Sequence, residues 1–515
     1  MFEILSNLWA PKGPQRPYLL EWRASKAFII FVVVFAVFTD ILLYGIVVPV
    51  TPTALSERVG QWVSILLGLY GGALLTCSPP AGYLADRVES RRWPLILGLA
   101  ALGASTALIC IGTHIGLWIA GRLCQGASAA VVWTVGCALL VDTVDKKELG
   151  QALGYIGMGM TFGSMGGPLL GGALYEHGGY YSVFAFAFAM IALDVVFRFV
   201  MIERKDAAKW LTPEGSTIEG APVAASDERA VTESSQQGSS SADVDIESQK
   251  ESEGQSAGPS PIIQGASLEN TTIHESPDRG QTLTRKRKGA LCTLLSSKRI
   301  LVCNWAYFIF SVLLTSFDSV LPLFVEETFH WHQTAQGLIF IPLTIPHIIE
   351  PVIGYINDRH PNCRRYLCAG GFFGAVPALV LLRYVQNNSA RHIVLLCALL
   401  TILGVCLASM LAIILVEVSY VVKEKEERTS EVWGKGGAMA LAYGILNSSF
   451  AAGSLVGPFL AGFIRKGAGW GTMAWVLAVI VGVSGVPVLL LLGGCLLKKK
   501  QDSLEHPARE ETVRQ

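Results

Sequence analysis

The segment Gly82-Tyr83-Leu84-Ala85-Asp86-Arg87 recurs in the second half of the chain as Gly354-Tyr355-Ile356-Asn357-Asp358-Arg359. Both copies end an apolar run on a glycine and then open a short turn with an acid and a base. Further along each half, Gly163, Gly167-Pro168, Gly171 and Gly172 are matched by Gly453, Gly457-Pro458, Ala461 and Gly462. Ahead of each turn, Asp40 has its counterpart in Asp318. Three features repeated in one order imply a duplicated chain. If the apolar runs cross a membrane, its two halves are parallel and related by an axis along the membrane normal.

Composition supports that reading. Of 515 residues, 51% are hydrophobic and 16% charged, and the mean hydropathy is +0.47. The apolar residues fall in blocks of about 20, the length a helix needs to cross a hydrocarbon core about 30 Å thick. The blocks are 27–50, 62–84, 94–112, 117–141, 153–174 and 181–201, then 300–324, 337–356, 367–385, 392–422, 438–464 and 472–497. The expected fold is an all-α membrane protein of twelve transmembrane helices in two parallel-related six-helix bundles, 27–202 and 300–497. The first block carries an acid at its middle and is too long for a signal-peptide core, so it is expected to stay as a span.

Lys and Arg concentrate in alternate loops, at Arg23 and Lys26, Arg87 with Arg91 and Arg92, Lys146 and Lys147, Arg364 and Arg365, and Lys498 to Lys500. The positive-inside rule then makes both tails, 1–26 and 498–515, cytoplasmic. The segment 203–299 is rich in Ser, Glu, Gln and Gly and poor in aromatics, so it is expected to be a disordered cytoplasmic loop. Roughly 95 flexible residues reach about 50–60 Å, enough to join two bundles without fixing their tilt. Its basic run at 285–288 is read either as a contact for anionic lipid or as a topological signal. The cysteines stand singly, without zinc spacing, so neither a disulfide framework nor a metal site is expected. A net charge of +0 offers nothing to nucleic acid.

In the first repeat, Gly82 allows close approach of a neighbouring backbone. Asp86, Arg87 and Arg91 are then placed to pair with charges on adjacent helices such as Asp142, forming a latch that breaks as the halves tilt. Gly354, Asp358 and Arg359 repeat the device; the plain alternative is a charged turn that only obeys topology. In the fifth block, Gly159, Gly163, Gly167 and Gly171 fall on one helix face, with Gly172 beside them, and Pro168 removes a backbone donor. Such a face suits a close crossing, a sliding seam or a hinge, and Gly457-Pro458 repeats it.

These residues resemble the major facilitator superfamily. The 82–92 segment is similar to its cytoplasmic loop motif, with Glu89 where Gly is usual. Arg122, Gln125 and Gly126 resemble its second motif, with Ser128 in place of a Gly. Gly163 to Gly172 matches the Gly-xxx-Gly-Pro-xx-Gly-Gly pattern of drug:proton antiporters of the 12-spanner group. Within that group, 38–44 with Val47, Val48 and Pro49 is similar to vesicular amine transporters and their fungal relatives. Tyr70 and Asn447 stand where amine transporters carry a lysine and an aspartate, and an acid is missing near Val405, so the resemblance does not support an amine substrate. It implies the major facilitator fold and export rather than uptake.

An ionisable side chain near the middle of a span costs about 2.5–3.5 kcal/mol and normally has a partner or a task. Asp40 is expected to couple protons or contact substrate, or alternatively to form a buried pair with Arg122. By family position, Arg122 serves proton coupling with Gln125 beside it. Asp318, the counterpart of Asp40, is expected to serve proton coupling or the substrate cavity, or alternatively to lie near the outer end before Pro322, where a solvated acid is ordinary. Glu350 and Glu417 are read as water-exposed or structural acids, Asp194 and Arg198 as an intrahelical pair, and His347 as a lone titratable group. Tyr44, Trp133, Trp305 and Tyr307 offer aromatic contact to an organic substrate, or simply pack.

No hydrolytic triad and no Gly-x-x-x-x-Gly-Lys loop is present, so the chain is not expected to be an enzyme and an ion gradient is the expected energy source. The expectation is a secondary active transporter exporting small organic compounds such as drugs, toxins or secondary metabolites against protons. It needs no cofactor, takes small molecules, protons and membrane lipid as partners, and works as a monomer, most simply in the plasma membrane. Proton symport for uptake or organellar import, and a non-transporting sensor, are the alternatives. Asn387 heads a glycosylation sequon in an outer loop.

Overall fold

The computed structural model describes residues 17–46, 59–88, 90–112, 114–211, 290–331, 333–428 and 437–494. Residues 47–49, positions 212–289 of the central segment with its basic run, and the tail at 498–515 lie outside these; the ends of the 203–299 segment are helical at Arg204–Leu211 and Ala290–Leu295, so the expected disorder does not hold there. With no water in a bilayer core to satisfy backbone groups, each apolar run closes its own hydrogen bonds as a helix. The spanning helices are numbered α1 to α12. In the first half, α1 is Lys26–Ile46, α2 Val59–Ala85, α3 Arg92–Ile111 and α4 Ile115–Thr143. Next comes a helical run, Leu149–Val200, interrupted at Gly179 (φ 73°, ψ −171°). It comprises α5 (149–178) and α6 (180–200).

The second half repeats the plan. Its first helix, α7, is Lys298–Phe329. The eighth span, α8, is assembled from Gln333–Leu338, Ile341–Thr344, the 3-10 turn Ile345–Ile349 and Glu350–Arg359. It is followed by α9 (Arg364–Leu381) and α10 (Ala390–Arg428). The run Met439–Leu491 breaks at Gly469 (φ 86°, ψ 169°) into α11 (439–468) and α12 (470–491).

Ten described helices are long and apolar enough to cross a membrane. Two of these are the broken runs. At 52 residues, Leu149–Val200 would measure about 78 Å if straight, more than twice a hydrocarbon core. The left-handed backbone at Gly179, a conformation that favours glycine, breaks it. Ser182 Oγ then donates to Leu174 O at 2.6 Å across the break. Counting each broken run as two spans gives the twelve expected from hydropathy.

The glycine faces position the helices within each half. A Cβ on Gly163 would lie 2.7 Å from Phe38 O, and one on Gly167 would lie 2.7 Å from Leu42 O, so α5 crosses α1 backbone to backbone. Gly457 does the same to Val312 O of α7, at 2.6 Å. These glycines therefore form crossings inside each bundle, and Gly172 meets nothing within 4 Å. The seam between bundles is built by α2 against α11 and α5 against α8. Its described contacts run from the face bearing Arg87, Arg91 and Arg364, called the basic face here, to the middle of the bundle.

Candidate functional site

At the basic face, the two sequence repeats fold into matching locks. Asp86 follows the last residue of α2 and accepts from Ala440 N at 3.1 Å and Leu441 N at 2.8 Å, in the first turn of α11. Asp358, ending α8, accepts from Gly150 N at 2.9 Å and Gln151 N at 3.0 Å, in the first turn of α5. Each carboxylate thus satisfies orphan N–H groups at the positive end of a helix in the opposite half. Gly82 and Gly354 press on the backbones of Ala440 and Gly150, where no Cβ fits. Burial pushes the Asp86 carboxyl up to about 6, against the pull of Leu441 N–H, Arg91 and Ala440 N–H.

Arginines buttress both locks. Arg91 donates to Ala85 O at 2.7 Å, to Asp86 at 3.0 Å and to Asp142 at 3.4 Å. In the second half, Arg364 donates to Asn357 at 3.0 Å and to Glu417 at 3.0 Å. Glu417, fully buried, also accepts from Arg299 at 2.6 and 3.0 Å and from Gly493 N at 2.9 Å. Arg87 and Arg359 are not part of either network. They fold back one turn over Tyr83 and Tyr355, 4.4 and 5.1 Å from the ring centroids. Asp142 therefore pairs with Arg91, and more loosely with Lys205 at 3.8 Å, rather than with Arg87, because Arg91 opens α3 with its side chain inward whereas Arg87 is exposed.

Asp40 lies about 21 Å along α1 from Lys26 and is fully buried. Neither carboxylate oxygen has a hydrogen-bond partner in good geometry, although Tyr70 of α2 lies beside it and the charge of Asp194 reaches it from α6. Arg122, one turn nearer the outer end, donates to Gln125 Oε1 at 2.9 Å and to Tyr44 O at 3.3 Å. Its guanidinium stands 5.8 Å from the Tyr44 ring centroid, and the Tyr44 and Tyr70 rings meet at a tilt of 39° with centroids 4.5 Å apart. An Asp40–Arg122 ion pair is thus replaced by a looser cluster in which the acid meets a phenol and the base an amide and a carbonyl.

The sequence model of the Major Facilitator Superfamily matches the chain twice, over residues 30–439 and 304–514. The MFS-type transporter ppzB of Metarhizium rileyi is 30% identical, over 93% of this chain and 97% of that protein. The chain belongs to the Major Facilitator Superfamily. A shorter match, 33% identical over 29% of the chain and 39% of the relative, joins this superfamily member to multidrug resistance protein 1 of Bacillus subtilis. Among solved structures, the human organic anion transporter MFSD10 (TETRAN) shares its fold with a TM-score of 0.58 at 16% identity, covering 90% of this chain and 99% of that one.

Other residues of this facilitator singled out in the sequence scatter. Asp318 is exposed on α7, within electrostatic reach of Tyr44 in the other half. Trp133 and Tyr307 are buried in the main apolar cluster, whereas Trp305 is exposed. Asp194 and Arg198 pair at 3.6 Å inside α6. Asn387 is exposed in the turn before α10. Glu350 is not water-exposed, because it is fully buried against His347. The role of Tyr70 beside Asp40 escaped the sequence reading, and its one signal was a tyrosine where amine transporters carry lysine.

Proposed function

We propose that this multi-pass membrane protein exports small organic compounds in exchange for protons by alternating access. The observation that carries the reading is Asp40, a fully buried carboxylate in α1 with both oxygens lacking hydrogen-bond partners, beside Tyr70, whose ring neighbour Tyr44 contacts Arg122. An acid kept there without a partner is expensive, and proton carriage is the task that repays it. The match to a multidrug resistance protein supports export.

In this reading, Asp40 takes a proton from the outer cleft, lined by Asp318, while the locks at Asp86 and Asp358 hold the basic face shut. Parting of α2 from α11 and of α5 from α8 opens the other side, where the proton leaves and the cargo enters near Tyr44 and Trp133. Each pH unit supplies about 1.4 kcal/mol per proton and each 100 mV about 2.3 kcal/mol per charge, so one proton drives substantial uphill export. No cofactor enters the cycle. The protein acts as a monomer, in the plasma membrane.

Asp40→Asn is the test. In inverted vesicles it is expected to abolish proton-driven cargo uptake and cargo-induced proton release while the protein inserts normally. Undiminished coupled flux would remove Asp40 from the role, and accumulation driven only by a gradient of the opposite sign would replace export with import.

A further inference from the structure

Two titratable side chains of α8 have no contact with the Asp40 cluster. Pro346 and Pro351 bracket them, and because proline lacks an N–H the helix between narrows to the 3-10 turn Ile345–Ile349 before resuming at Glu350. Residues three apart eclipse in such a turn, which sets His347 Nδ1 against Glu350 Oε1 in a hydrogen bond. Both residues are fully buried, and His347 Nε2 and Glu350 Oε2 have no partner. The couple lies in the seam between the halves. Thr161 Oγ1 of α5 is 3.2 Å from His347 Nδ1, and Gly157 receives the Glu350 carboxylate where no Cβ fits. A Cβ on Gly154 would lie 2.6 Å from the Glu350 carbonyl.

Among the described residues, no lysine or arginine compensates the couple. From α5 the couple faces the Thr161 hydroxyl, and from α7 the Tyr307 hydroxyl, which senses the Glu350 charge and has Cys137 of α4 nearby. The α10 face contributes apolar Leu411 beside Gly157, while Gly404 packs on Leu343 and Pro346. With one proton the couple is neutral overall, whether as acid plus imidazole or as carboxylate plus imidazolium. Without it, a net negative charge is left uncompensated in an apolar seam, which disfavours the closed state.

We propose that His347 and Glu350 form a second proton-binding site, separate from Asp40, whose single proton exchanges with basic-face water only when α5 and α8 part. When the seam opens the couple passes its proton to water, and when the seam closes it takes one back; no other bond changes. Alkaline conditions on the basic face therefore favour the open seam and acid conditions the closed one. Gly157 is part of the device, since any side chain there would displace the carboxylate.

The test reads conformation rather than flux, so it holds even if Asp40 proves not to couple transport. Spin labels are attached at Lys147→Cys and His360→Cys, both exposed at the rim of the seam, in the full chain with exposed Cys124, Cys292 and Cys363 changed to Ser. Distances are measured by double electron–electron resonance in nanodiscs from about pH 5.5 to about pH 8.5, which brackets a free imidazole. The closed population is expected to fall roughly tenfold with rising pH, relative to the open one. Glu350→Gln, neutral and equal in shape, should stay closed, and the slope it loses belongs to the couple because Asp86 is common to both proteins. His347→Gln should move the transition to more acidic pH. Identical titrations of parent and Glu350→Gln would overturn the proposal. If that variant does not fold, an unmoved transition in His347→Gln would do so.

Discussion

Replacing Asp86 with alanine should unfasten the α2–α11 side of the seam and leave each bundle folded. In the closed seam the substitution orphans Ala440 N–H and Leu441 N–H, whereas Arg91 keeps Ala85 O and Asp142. A buried donor left unsatisfied costs about 1–3 kcal/mol, and in the open seam the same N–H groups reach water. With two donors orphaned the closed state alone therefore loses about 2–6 kcal/mol, which moves the closed-to-open ratio by roughly 30-fold or more. Ser448 is a suitable reporter because its hydroxyl donates to Leu75 O at 2.8 Å across this seam. A cysteine at 448 should react with an impermeant maleimide from the basic face at a rate set by the open fraction. Asp86→Ala should raise that rate at least about tenfold, and Asp358→Ala, which orphans two matching donors, should do the same to a reporter between α5 and α8. A rate within about twofold of the parent, with an unchanged thermal midpoint, would refute the reasoning.

The pH dependence has a definite sign. The closed seam raises the Asp86 carboxyl from its ordinary 3.8 to about 6, so the closed state binds this proton more tightly than the open one. Stabilisation from that proton is complete below the ordinary value and is lost as pH rises through about 6. Labelling at 448, normalised to an exposed thiol, should therefore slow as pH falls through about 6, and Asp86→Ala should lose that part of the slope.

Two further outcomes follow from packing and charge. Glu417→Ala leaves the guanidinium groups of Arg299 and Arg364 without their shared acid and should destabilise the second bundle by about 3–5 kcal/mol, read as a drop of several degrees in thermal midpoint; an unmoved midpoint would count against the network. Gly163→Val forces a side chain onto Phe38 O and Ile41 of α1, beside Asp40, and should cost about 1–3 kcal/mol and depress proton-driven flux. Gly172→Val, with nothing within 4 Å, should do neither, and equal damage from both would show that the helix crossing is not the cause.

What could be read in the sequence was whatever the chain repeats locally. Gly-then-Asp-Arg and Gly-xxx-Gly-Pro each report a backbone contact within a few residues, so the two halves and the positions of Asp86, Asp358, Gly163 and Gly457 were legible. Contacts between distant helices were not. Nothing local tells that Arg91 turns inward and Arg87 outward, or that Tyr70 meets Asp40 from another helix. Read one at a time, His347 is a lone titratable histidine and Glu350 a water-exposed or structural acid, although their three-residue spacing between Pro346 and Pro351 marks a broken span that sets them on one face. The repeats also carry a consequence that duplication alone does not. Asp86 of the first half holds α11 of the second, and Asp358 of the second half holds α5 of the first. Each helix N-terminus carries roughly half a positive charge toward the other half's carboxylate. The two locks are therefore not spare copies of one another: each closes a different side of the seam, and the basic face opens fully only when both have let go.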